Sequence, residues 1–127
     1  AVMLITHDLG VVAETCERMV VMYGGMIMEE GTTKEIFGDP QHPYTIALQR
    51  SIPKLNHEKK DKLWSIPGSP PNMLNPPKGC PFAGRCNQAM KICREMLPPI
   101  TQITDTHKSM CWRNCAQSPK KVERYDG

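Results

Sequence analysis

Four cysteines in the second half of this 127-residue chain, Cys80, Cys86, Cys93 and Cys111, are separated by five, six and seventeen intervening residues. Thiolates are soft ligands, and four of them suffice to surround a metal ion or an iron–sulfur cluster. The spacing matches neither the Cys-x-x-Cys of paired zinc ligands nor either common ferredoxin pattern. Three readings stay open on the residues alone. Disulfides suit an exported chain, but no export signal is visible. Zinc in a four-cysteine site is chemically sound. An iron–sulfur cluster needs the same four thiolates on loops that wrap a larger object, which the intervals punctuated by Pro81 and Gly84 suit slightly better. Between Lys78 and Arg113 six basic residues face two acidic ones, a surplus of four positive charges against four thiolates. Nearby cations favour the ligating thiolate, although the same residues also read as an ordinary solvated surface. Cys16 falls on the apolar face of its helix and reads as a small buried hydrophobe.

The second candidate is His7, in Ile5-Thr6-His7-Asp8. The apolar run 1–5 has the pattern of a strand buried on both faces. A histidine just past such a strand stands at the edge where open α/β sheets bind ligands. There it can donate to a phosphate oxygen or orient a water, or simply be a satisfied strand-end group.

The elements that must position these groups follow from periodicity and punctuation. Asp8 caps a helix whose apolar positions are Leu9, Val12, Ala13 and Cys16. Met19–Tyr23, Gly24-Gly25 and Met26–Glu29 read as a hairpin closed at Gly31, with its methionines as core filler. Thr32 and Glu35 form a capping box for a short helix through Phe37, which Asp39-Pro40 ends. His42-Pro43 opens another helix with apolar positions Tyr44, Ala47, Leu48 and Ile52, stopped by Pro53. Residues 56–62 are charged and solvated, and 63–66 read as a short strand. Six of the twelve prolines fall between Pro67 and Pro81, so this stretch is loop and the core is thin. Asn87–Met96 reads as one helix, Met110–Trp112 as a last strand, and 118–127 as a flexible tail. Trp64 and Trp112 anchor a satellite core.

Composition narrows the function. A net charge of +3 is too small to imply nucleic acid, and none is expected as a partner. No apolar run approaches the roughly 20 residues of a membrane helix. No signal peptide is visible, and the start at Ala1 inside an apolar run suggests a piece of a longer protein.

Leu4-Ile5-Thr6-His7-Asp8-Leu9, the helix to Arg18, then Tyr23, Gly25, Ile27, Glu29 and Gly31 resemble the switch-histidine region of ABC ATPases. Ile36-Phe37, Pro40 and His42-Pro43-Tyr44-Thr45 resemble the oligopeptide/dipeptide (peptide/nickel) importers within that family. Gly79-Cys80-Pro81-Phe82, Arg85-Cys86, Ile92-Cys93 and His107 to Cys111 match the cysteine-bearing C-terminal extension of the same subgroup. The resemblance runs to about Trp112. It implies an α/β fold: the C-terminal remnant of an ABC-type P-loop nucleotide-binding domain (1–37), a small loop-rich cysteine-containing extension (38–117) and a tail (118–127). It also implies that His7 contacts the ATP γ-phosphate, and that Cys80, Cys86, Cys93 and Cys111 hold a [4Fe-4S] cluster, with zinc as the alternative. ATP and Mg would serve the parent subunit, whose partners would be permease subunits and a second ATPase subunit on the cytoplasmic face of the membrane. Cys115 lies beyond the pattern, as a free thiol or a substitute ligand.

The sequence departs from the family in one respect. It contains no Gly-x-x-x-x-Gly-Lys-Ser/Thr loop, no Leu-Ser-Gly-Gly-Gln signature and no Walker B acidic pair, so this stretch is not expected to hydrolyse ATP. The strand at 1–5 is expected to lack its parallel neighbours, leaving an aggregation-prone edge or one paired with another chain. The rival reading is a metal-stabilised binding module unrelated to transport.

Overall fold

A computed structural model describes residues 2–6, 8–51 and 66–115. Asp8 caps the first helix, α1 (Leu9–Thr15), through Oδ1, which accepts from the Gly10 and Val11 N–H groups at 3.0 and 3.3 Å. The hairpin forms as β1 (Arg18–Tyr23) and β2 (Met26–Thr32), paired antiparallel. Gly24 and Gly25 both take positive φ, 58° and 78°, which a two-residue hairpin turn of matching twist requires. Met19, Val21 and Tyr23 point inward while Val20 and Met22 face solvent, the alternation of a sheet with one wet side.

Strand β2 does not stop at Gly31 but runs one residue further, to the Thr32 cap of α2 (Thr33–Gly38). Thr32 Oγ1 accepts from Glu35 N–H at 3.2 Å, half of the capping box. Helix α3 (Pro43–Arg50) starts with proline at its first turn, and His42 Nδ1 caps it by accepting from Tyr44 N–H at 3.0 Å. Two two-residue strands complete the sheet, β3 (Thr101–Gln102) and β4 (Lys108–Ser109), in the order β1-β2-β4-β3, antiparallel throughout. The sheet therefore joins residues on both sides of position 37. Among the described residues no helix is long and apolar enough to cross a membrane.

Three expectations need correction. Residues 2–6 form no strand, and Val2, Met3 and Ile5 are almost fully exposed. An apolar run becomes a strand only when neighbours satisfy its main-chain groups, and no described segment pairs with this one. Asn87–Met96 is helical only as α4 (Lys91–Glu95), because Ala89 N–H and Cys93 N–H close turns on Cys86 and Met90 instead. The last strand lies at β4 rather than Met110–Trp112, and Trp112–Asn114 is a 3₁₀ turn. The expectations at His7, 52–65 (with Trp64) and 118–127 lie outside the described residues.

Two apolar clusters hold the fold. Met19, Val21 and Ile36 form one, with Leu9, Val12, Phe37 and Leu48 packed on it. The other gathers Tyr23, Met28, Ala47, Phe82, Ala83 and Met110 with Cys80 and Cys93. Phe82 is fully buried there, its ring 5.3 Å from Tyr23 and 5.1 Å from Tyr44 between centroids. Burying such a ring contributes about 1.5–3 kcal/mol. The cysteine region is thus seated on the hairpin and α3 and has no separate core.

Candidate functional site

The turns that carry Cys80 and Cys86 are consecutive: Ala83 N–H donates to the Cys80 carbonyl at 3.1 Å and Arg85 N–H to the Phe82 carbonyl at 2.9 Å. Phe82 drives this loop into the core, and Arg85 fastens it outward. The Arg85 guanidinium donates to the carbonyls of Pro67 and Ile66 and to the Tyr23 hydroxyl, at 3.1, 3.1 and 3.2 Å. Cys93 lies in the first turn of α4. Cys111 follows β4, and Met110 N–H donates to the Met28 carbonyl at 2.8 Å, extending the sheet to its doorstep.

These placements bring all four predicted cysteines to the lining of one small cavity, of about 20 Å³ and partly open to solvent. None is in a disulfide. Its other walls include His42, Pro43, Gln88 and Arg113. Cys16 and Cys115, both half-buried, are not among its lining residues.

Every one of the four sulfurs is approached by main-chain N–H groups. Gln88 N–H donates to Cys86 Sγ and Met90 N–H to Cys93 Sγ, both at 3.4 Å. The Phe82 and Ala83 amides favour the Cys80 thiolate, and the Arg113 amide that of Cys111. Burial works in the opposite direction. It is the main reason the Cys80 thiol is pushed up, Cys86 to about 11 and Cys111 to about 12, with neighbouring thiols adding to it. Such a site accumulates sulfur and donors aimed at sulfur, yet burial favours the neutral thiols of Cys80, Cys86 and Cys111. By residue type alone, four thiols are the donor set of a thiolate-bound group. Among the described residues, however, no three His, Cys, Asp or Glu side chains are grouped so as to hold a metal ion.

The expected basic surroundings are less concentrated than the sequence suggested. Of the six basic residues between Lys78 and Arg113, Arg113 lines the cavity; Arg85 is committed to the loop, and Lys108 pairs with Glu30 at 3.4 Å.

Sequence reasoning missed the polar support behind the cavity. Glu29, on β2, is buried and accepts from Gln41 N–H at 2.9 Å and His42 N–H at 2.8 Å, and it also pairs with His107 Nε2. This carboxylate joins the start of α3 to the strand leading to Cys111. His42 itself was read only as a helix opener. Burial, with Arg113 acting in the same direction, lowers it to about 4, so the ring is neutral. The one available signal was that Glu29 and His107 both belong to motifs quoted for other reasons.

The stretch 28–93 matches the family model described as "Oligopeptide/dipeptide transporter, C-terminal region". The chain is similar to the oligopeptide transport ATP-binding protein OppD of Bacillus subtilis, 48% identical over 120 residues, covering 94% of this chain and 34% of that protein. It is 48% identical over 112 residues to the dipeptide transport ATP-binding protein DppD of Bacillus subtilis, covering 88% and 33%. It is 45% identical over 113 residues to OppD of Salmonella typhimurium, covering 89% and 33%. The chain therefore spans about a third of the length of these curated relatives.

Proposed function

The chain belongs to the family of the oligopeptide/dipeptide transporter C-terminal region, and on that premise we propose that it is the C-terminal part of an ATP-hydrolysing subunit that energises peptide import across the cytoplasmic membrane. What carries the reading is that the matched stretch holds most of β2, the His42-Pro43 helix start and three of the four cysteines in one folded unit. Residues 1–37 then correspond to the end of the ATPase domain and 38–117 to an extension built onto it. The pairing of Glu29 with Ser109 across β2 and β4 supports an extension continuous with the domain's sheet, rather than one tethered to it.

In this reading ATP and Mg are used by the whole subunit, with His7 at the γ-phosphate. Permease subunits and a second ATPase subunit are its partners at the cytoplasmic face. The 127 residues carry no phosphate-binding loop, so hydrolysis belongs to the whole subunit and not to this stretch alone. A stand-alone binding module unrelated to transport draws no support from the family to which the chain belongs.

The four cysteines are read as ligands of one [4Fe-4S] cluster, with zinc as the alternative occupant. When bound, the group supplies a cross-link among segments that share only a small core. The N–H groups directed at all four sulfurs favour thiolates that stay ligated. The transport reading is tested with the intact subunit reconstituted with its permeases in liposomes. Peptide-dependent ATP hydrolysis is expected, and His7→Ala should slow it at least about a hundredfold while nucleotide still binds. Full hydrolysis by His7→Ala would remove the histidine from the mechanism.

A further inference from the structure

His107 is buried, and both of its ring nitrogens face carboxylates. Nε2 meets Glu29 of β2, and Nδ1 lies 3.8 Å from Glu35 Oε2 of α2, an ion-pair distance. An ionised carboxylate only accepts, so each nitrogen is best matched when it carries a proton. A neutral imidazole has one proton and serves one of the two, whereas the imidazolium serves both. We propose that His107 is a proton-operated clasp: doubly protonated, it joins Glu29 to Glu35 and holds residues 103–111 on the sheet, and loss of a proton as pH rises loosens that segment. The inference goes beyond the transport reading and does not depend on what the cysteines bind.

The sheet contacts of this segment are few. β4 meets β2 at two register pairs, Glu29 with Ser109 and Glu30 with Lys108, and Met110 N–H adds one bond to the Met28 carbonyl at 2.8 Å. The turn before β4 folds around the same histidine. His107 N–H donates to Thr104 Oγ1 at 3.1 Å, and its carbonyl accepts from Ile103 and Thr104 N–H at 2.8 and 3.2 Å. The Thr104 and Thr106 hydroxyls in turn donate to Glu35. Gly31 leaves the space for this arrangement, since a Cβ there would lie 2.9 Å from Glu35 Oε2 and 3.3 Å from His107 Cδ2. A single proton on the ring thus acts where β2, α2 and β4 meet.

The other charged groups on the packed elements are turned elsewhere. Glu30 pairs with Lys108 at 3.4 Å, and Lys34 of α2 and Asp105 of the turn are exposed. His42 shares Glu29 through its main-chain N–H, and burial foremost lowers its ring to about 4, so it adds no charge near neutrality. The clasp therefore has two pH limits. The Glu35 carboxyl, held below 4.5 chiefly by the Thr106 hydroxyl, stays ionised until pH falls through that lower value. Toward alkali the ring gives up its second proton, which leaves two carboxylates facing a neutral imidazole with their mutual repulsion no longer offset. Stability contributed by the imidazolium is present on the acid side of that step and lost above it.

The test measures amide hydrogen exchange of the intact subunit by mass spectrometry, each rate corrected for the intrinsic exchange of an open chain at that pH. Protection of peptides covering 101–111 should fall at least about tenfold as pH is raised across the titration of His107, while peptides over β1 keep theirs. Ring nitrogen NMR shifts of histidine-labelled protein should show His107 doubly protonated on the acid side of that fall. His107→Gln, which cannot gain or lose the proton, and Glu35→Gln, which removes one partner's charge, should each flatten the step. A His107 ring with a single proton wherever the fold is intact overturns the proposal, as does a step of unchanged size in Glu35→Gln. The wild-type and Glu35→Gln profiles decide the matter even where His107→Gln does not fold.

Discussion

The Cys80 N–H donates to the Cys93 carbonyl across 2.7 Å, so the first and third cysteines of the site are held together by main chain alone. Gly79 makes the approach feasible, because a Cβ there would lie 2.1 Å from the same carbonyl oxygen and 2.8 Å from two main-chain carbons. Backbone atoms cannot rotate out of the way as a flexible side chain can. Gly79→Ala should therefore push α4 off the Cys80 loop at a cost of about 1–3 kcal/mol. Urea unfolding of the two proteins measures this, and an unchanged midpoint would mean the contact is not needed.

Glu29 and His107, 78 residues apart, meet with Glu29 accepting also from two consecutive main-chain N–H groups. Glu29→Gln replaces one acceptor oxygen by a donor and leaves at least one of these groups facing it. A loss of about 1–3 kcal/mol is expected. If the pair acts as a unit, adding His107→Asn to Glu29→Gln should cost less than the sum of the two single changes. Strict additivity in the double-mutant cycle would show that the two residues act separately.

Acid should weaken the fold through Glu35. The Thr106 hydroxyl foremost, with the Thr32 N–H, His107 and the Thr104 hydroxyl, holds its carboxyl below the ordinary value of 4.5, against opposing burial. The unfolded chain then takes up this proton before the folded one does. The stabilisation is complete above about pH 4.5 and is lost as pH falls through the lower folded value. Glu35→Gln should unfold with a shallower dependence on pH below 4.5 than the parent. Identical slopes would place the acid sensitivity elsewhere.

Much of the local structure was legible because it is written in short-range signals. Gly24-Gly25 announces a positive-φ turn, Thr32 with Glu35 a cap, and Asp8 and His42-Pro43 two helix starts. The convergence of four cysteines was also legible as a pattern, though not as a geometry. What escaped is long-range or depends on partners. β3 and β4 are two residues each, too short to leave a periodicity; β4 exists because β2 offers it an edge, and β3 because β4 does. Residues 2–6 have a strand's composition but no described neighbour to pair with. The buried pairing of Glu29 with His107 appears only once distant segments are folded together.

Iron and acid-labile sulfide counted per chain in anaerobically isolated protein test the reading of the cysteine cavity most directly. About four of each are expected in the parent, falling together in Cys80→Ser, Cys86→Ser, Cys93→Ser and Cys111→Ser but not in Cys16→Ser or Cys115→Ser. Stoichiometric zinc in place of iron, or full iron and sulfide retained in each of the four single variants, would contradict it.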